Sequence, residues 1–158
     1  MPVIHLQAEP FAGLAAEILQ DGRRLRFTAP GHSMAPFVRH DDILEVAPIQ
    51  EYGLRPGDIL LYRRPNSRLI AHRVVRLVRR QGGLQIHTQG DALAREDGRI
   101  APEQVLGQVV AVQRGERIIR MNSWAPRLAG LLWLRLGRGR ALLLRGWRLL
   151  SADFRRLH

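Results

Sequence analysis

The chain has 158 residues and no cysteine, which fits one domain and excludes disulfides, thiolate nucleophiles and zinc–thiolate sites. Its 25 basic residues are all arginine and stand against 14 acids, a net charge of +11, so no mechanism that needs a neutral lysine as base is open to it. No run reaches the roughly 18 apolar residues that a membrane-spanning helix requires.

The opening Met1-Pro2-Val3-Ile4-His5 has no basic stretch ahead of an apolar one, so no cleavable secretory signal is expected. Phe11, Leu14, Ala15, Ile18 and Leu19 then fall at helical spacing. With Pro10 suited to a first turn and Asp21-Gly22 to a stop, they predict a short amphipathic helix over 10–20. From Arg23 the period changes to two. Strands are predicted at 24–28, 42–47, 58–63, 69–78, 84–88, 105–112 and 117–120. Turn signals such as Pro30-Gly31, Arg55-Pro56-Gly57, Gln81-Gly82-Gly83 and Arg114-Gly115 separate them. Many short strands between Gly/Pro turns predict a mainly β, antiparallel domain.

Beyond Trp124 the chain becomes rich in Leu, Trp and Arg. Residues 124–158 carry eight arginines and one acid, Asp153, for a net +7. On a helix at about 100° per residue, Arg127, Arg138, Arg145 and Arg156 share one line, and Leu132, Leu136, Leu143, Trp147 and Leu150 lie roughly opposite. This predicts an amphipathic, basic helical tail. Gly137 and Gly139 break it, each costing about 1 kcal/mol relative to alanine. The expected division is a β domain over 1–123 and a tail over 124–158.

Three short segments bear on chemistry. Ser33 sits in a Pro/Gly-flanked loop, Gly31-His32-Ser33-Met34-Ala35-Pro36, between two predicted strands. His72 lies mid-strand on the face of Ile70 and Val74. Asp91 and Asp97 stand in a glycine-containing stretch, Gln89-Gly90-Asp91-Ala92 to Glu96-Asp97-Gly98. Taken one at a time, these are turn formers and a core histidine. Taken together, they supply a hydroxyl that is a poor nucleophile unaided, a base that titrates near neutrality, and a carboxylate able to fix the base's tautomer.

The order and context of these segments resemble the signal peptidase I family, in its histidine-using branch. The motifs run from about Arg26 to Val112: Ser33-Met34-Ala35-Pro36, Pro56-Gly57-Asp58, His72-Arg73-Val74, Gly90-Asp91 with a second aspartate at Asp97, and Val105-Leu106-Gly107-Gln108-Val109. The resemblance implies an antiparallel β fold and a serine endopeptidase that removes a leader or signal segment, with small residues flanking the cut. It implies Ser33 as nucleophile, His72 as general base and Asp97 as its orienter. Asp91 would either brace the loop or assist. Gly31, Met34 and Pro36 would border the substrate and the oxyanion. Gly31 has no hydroxyl to offer the oxyanion, which leaves backbone N–H groups, that of Ser33 included. No cofactor or metal is implied, and His40-Asp41-Asp42 lacks metal-ligand spacing. His87 reads as structural, and His5, His40 and His158 as surface residues.

The partners implied are a precursor peptide and, through Trp133, Trp147, Arg138 and Arg145 of the tail, an anionic membrane surface. Nucleic acid ranks behind lipid because no recognition motif accompanies the arginines. An Arg-rich flank without a secretory signal places the protein at the cytoplasmic face. The alternatives are a non-catalytic peptide-binding or membrane-associated basic module on the same scaffold, and a tail that simply packs on the β domain.

Overall fold

The computed structural model describes residues 9–49, 53–65 and 68–136. Helix α1 (Glu9–Gln20) leads into strands β1 (Leu25–Thr28), β2 (Ile43–Pro48), β3 (Ile59–Arg63), β4 (Leu69–Arg80), β5 (Gly83–Gln89) and β6 (Arg99–Ile100). A short 3-10 turn at Pro102–Gln104 follows, then β7 (Val105–Arg114), β8 (Arg117–Arg120) and α2 (Trp124–Arg135). The expected mainly β, antiparallel architecture is what forms, with one helix at each end. Strand limits shift from expectation by one or two residues. The two-residue β6 was not expected, being too short to carry a period.

All eight strands join one antiparallel sheet in the order β1-β2-β7-β3-β4-β5-β6, with β8 alongside β7. Strand β7 is the hub. Its one edge holds β2, while the other holds β3 over Val105–Val109 and β8 over Ala111–Arg114. Register shifts at Glu45/Val46 and Leu61/Tyr62 bend the strands there, as bulges do.

Alternation along β3 divides the interior. Ile59 and Leu61 join Phe11, Phe27, Leu44, Val46 and Val112 in a core under α1, while Leu60 and Tyr62 join Val74, Ile86 and Ile100 in a second core. Each such side chain, fully buried, contributes roughly 1.5–3 kcal/mol. Helix α1 approaches closely because β7 carries Gly107. A Cβ there would lie 2.6 Å from the Ala47 carbonyl and 3.2 Å from Leu19.

Helix α2, the part of the expected tail that is described, lies against the β domain. The Arg127 guanidinium pairs with the fully buried carboxylate of Asp58, and the buried Gly130 lets α2 lie against the Arg73 side chain. On the wheel Arg127 belongs to the charged line, yet a buried acid on the β domain claims it. The opposite side of α2 exposes Trp124, Leu128 and Leu132, with Leu136 just beyond. The remaining tail residues, including Trp147, Arg138 and Arg145, lie outside the described residues.

Candidate active site

Ser33 is held by a loop whose base is locked. The Ala29 amide donates to the Asp42 carbonyl at 2.8 Å, and the Asp41 amide donates to the Ala29 carbonyl at 3.0 Å. Arg114 grips both Asp42 carboxylate oxygens, at 2.9 and 2.6 Å, and donates to the Phe37 carbonyl at 3.2 Å. Such two-pronged guanidinium–carboxylate contacts fix geometry as well as adding energy. Met34 and Val38 sink into the core beneath, which leaves Ser33 half-buried at the surface.

Pairing of β4 with β3 sets Leu60 opposite His72 and puts the imidazole beside the Ser33 loop. The Ser33 hydroxyl lies 2.9 Å from His72 Nε2, and His72 Nδ1 lies 2.5 Å from Asp97 Oδ2. Only 5% of His72 is exposed, so the pair is shielded from water on most sides. The Asp97 amide donates to the Thr88 carbonyl at 2.8 Å, folding the loop after β5 back so that the carboxylate meets the imidazole. Around that carboxylate stand the Thr88 hydroxyl at 3.2 Å, the Tyr62 hydroxyl at 3.4 Å and Arg64 at 3.3 Å.

Burial opposes ionisation of Asp97. The hydrogen bond and charge of His72, helped by Thr88 and Arg64, outweigh it and hold the carboxyl below the usual carboxylate range. Burial pushes the Tyr62 phenol up, against the Thr88 hydrogen bond and with the Asp97 charge. It therefore stays a neutral donor beside Asp97. An ionised Asp97 accepts the Nδ1 proton and leaves Nε2 as the acceptor facing Ser33.

Asp91 does a different job. Both of its oxygens receive Arg73, at 2.8 and 2.7 Å, and neither side chain is exposed. Arg73 also donates to the Gly57 carbonyl at 2.8 Å and lies 4.9 Å over the Phe37 ring. The neighbouring Ala92 amide donates to the Ser33 carbonyl at 2.8 Å. A side chain at Gly90 would strike that same carbonyl, at 2.7 Å. Asp91 thus braces the loop that grips the Ser33 backbone, while Asp97 orients the His72 imidazole.

Not every expected residue gathers here. Gly31 and Met34 line the cleft in front of Ser33, but Pro36 does not. Trp133, expected at a lipid surface, instead directs its indole inward: Nε1 donates to the Asp91 carbonyl at 2.9 Å, and the ring meets Phe37 edge-on. His32 packs against His40, at 5.1 Å between rings, and His87 Nδ1 lies 3.2 Å from Glu96. Among the described residues no group of three His, Asp or Glu side chains is arranged to hold a metal ion. Sequence reasoning missed Tyr62, Arg64 and Thr88 around Asp97, and the bracing part of Arg73. An arginine between His72 and Val74 in the middle of β4 was the signal available for the last.

No protein-family model matches the chain, and no curated protein matches it.

Proposed function

We propose that the protein is a serine endopeptidase of the signal peptidase type, which removes a leader or signal segment from a precursor peptide. The observation that carries this reading is the unbroken line from Ser33 Oγ to His72 Nε2, 2.9 Å, and from His72 Nδ1 to Asp97 Oδ2, 2.5 Å.

The residues could act in sequence. Ser33 Oγ attacks the scissile carbonyl carbon as its proton passes to His72 Nε2. The C–N bond breaks, and Nε2 returns the proton to the departing amine. Water then repeats the cycle against the acyl–Ser33 ester. Open space at Gly31 leaves the oxyanion to backbone N–H groups, that of Ser33 first among them. An extended substrate finds a partner in Leu69–His72 of β4. Among the described residues these pair with β3 on one edge only, because β5 joins β4 from Arg73 onward, and they line the cleft. An unpaired strand edge of this kind accepts a peptide by main-chain hydrogen bonds. A non-catalytic peptide-binding module would use the same edge but has no use for an ionised Asp97 behind the imidazole. Treatment with a fluorophosphonate should label Ser33 alone, and labelling should vanish on unfolding. Absence of labelling in the folded protein would favour the non-catalytic module.

The reading includes attachment to an anionic membrane surface at the cytoplasmic face. The exposed Trp124, Leu128, Leu132 and Leu136, with the net +6 of residues 128–158, support it. Each basic residue near such a surface adds about 1 kcal/mol, and the apolar face adds to that. The full chain should sediment with vesicles containing anionic lipid, more weakly at high salt. A chain cut after Leu136, which keeps α2 on the domain, should bind less. Equal binding by the two would remove residues 137–158 from the interaction.

A further inference from the structure

We propose that Trp133 is a positioning residue for Ser33: from α2 it fixes the peptide plane that holds the Ser33 backbone, and so sets the rate of reaction without touching the substrate. The proposal rests on the peptidase reading and deepens it.

Two hydrogen bonds meet on one peptide group. The Trp133 indole Nε1–H donates to the Asp91 carbonyl at 2.9 Å, and the Ala92 amide donates to the Ser33 carbonyl at 2.8 Å. The Asp91 C=O and the Ala92 N–H belong to the same peptide bond, which is planar and trans, so they point opposite ways and move together. The indole therefore reaches the Ser33 carbonyl through a single rigid unit, and bonds in such a chain polarise one another.

That unit needs a hold of this kind. Leu93 N–H donates to the Gly90 carbonyl at 2.9 Å, which makes 90–93 a β-turn with the Asp91–Ala92 peptide at its centre. The central peptide is the one that rotates when a turn changes type, and the turn's own hydrogen bond does not prevent it. Rotation would carry the Ala92 N–H off the Ser33 carbonyl. Arg73 grips the Asp91 side chain and leaves this plane to Trp133. The ring also meets Phe37, four residues beyond Ser33, edge-on with centroids 6.3 Å apart. Trp133 thus touches both loops that flank Ser33, yet it is not among the residues lining the cleft. Helix α2 has other holds on the domain, the Arg127–Asp58 pair and the packing of Gly130 on Arg73, so a change at position 133 tests the relay and not the docking of the helix.

The test compares the parent with Trp133→Phe, which keeps a ring and loses the donor, and with a chain carrying 3-benzothienylalanine at position 133, which keeps the indole shape with sulfur in place of N–H. Circular dichroism and thermal unfolding fix the folded fraction of each. Per folded molecule, both changes should slow labelling of Ser33 by a fluorophosphonate and lower kcat on a cleaved precursor about 10- to 100-fold, the scale that a misplacement of about 1 Å costs. KM should stay at the parental value, as for a contribution made only in the transition state. Parental labelling and kcat in the folded variants would overturn the proposal and leave the peptidase reading standing. So would losses that match the unfolded fraction, or a raised KM with kcat unchanged. A loss in Trp133→Phe that the benzothienyl chain does not share would overturn the assignment to the N–H. A parent that no fluorophosphonate labels would sink both readings.

Discussion

Replacing Ser33 or His72 with alanine is expected to lower kcat by about six orders of magnitude, and replacing both is expected to cost little more than either alone. The reason is the shared proton. At 2.9 Å the Ser33 hydroxyl and His72 Nε2 form one nucleophile, so removing either end removes the whole. Ser33 is half-buried and the change removes only its hydroxyl, which leaves the fold of Ser33→Ala intact. His72→Ala opens a gap beside Leu60 and should unfold somewhat earlier. Kinetics of the two single variants and the double variant on a cleaved precursor decide the matter. Costs that add across the double variant, or a Ser33→Ala protein that cleaves at the parental rate, would show that the two do not act as a unit.

Asp97→Asn should lose about 10⁴ in kcat with little change in substrate binding. The amide of asparagine can donate to Nδ1, which places the ring proton on Nε2 and faces it toward Ser33. The pH dependence follows from the direction of the Asp97 shift. Its carboxyl is held below the usual carboxylate range, so Asp97 stays ionised well into acid. Any fall in rate toward mild acid should therefore follow a single limb that reports one proton. A limb reporting two protons would place Asp97 in the titration and contradict the assignment. Stability has the same sign. A depressed carboxyl stabilises the fold at pH above its ordinary value, and that contribution disappears as pH falls through the lowered value.

The sheet was legible because alternation and Gly/Pro turns are local properties, and β1, β2 and most of β7 alternate. Ser33 and His72 were legible for the same reason, each standing in a segment whose type was plain. The division of labour between Asp91 and Asp97 was not. Both lie in one glycine-containing stretch, and which of them meets the imidazole depends on the Asp97 amide folding back onto Thr88 and on Arg73 reaching Asp91 from the neighbouring strand. Those are contacts between segments, and no spacing encodes them. The tail shows the same limit from the other side. A helical wheel placed Arg127 among residues bound for water or lipid, because a wheel records which residues share a side and not what waits there. Asp58, buried on the β domain, was waiting.

Helix α2 has a consequence for the timing of the protein's synthesis. A chain made only as far as β8 already contains Ser33, His72 and Asp97. It lacks the surface around Gly130 against which Arg73 lies, and the indole that holds the Asp91 carbonyl. Both contacts reach the loop that fixes the Ser33 backbone. Chains fold from the N-terminus as they emerge, so the support of the Ser33 loop is complete only once α2 has left the ribosome and docked.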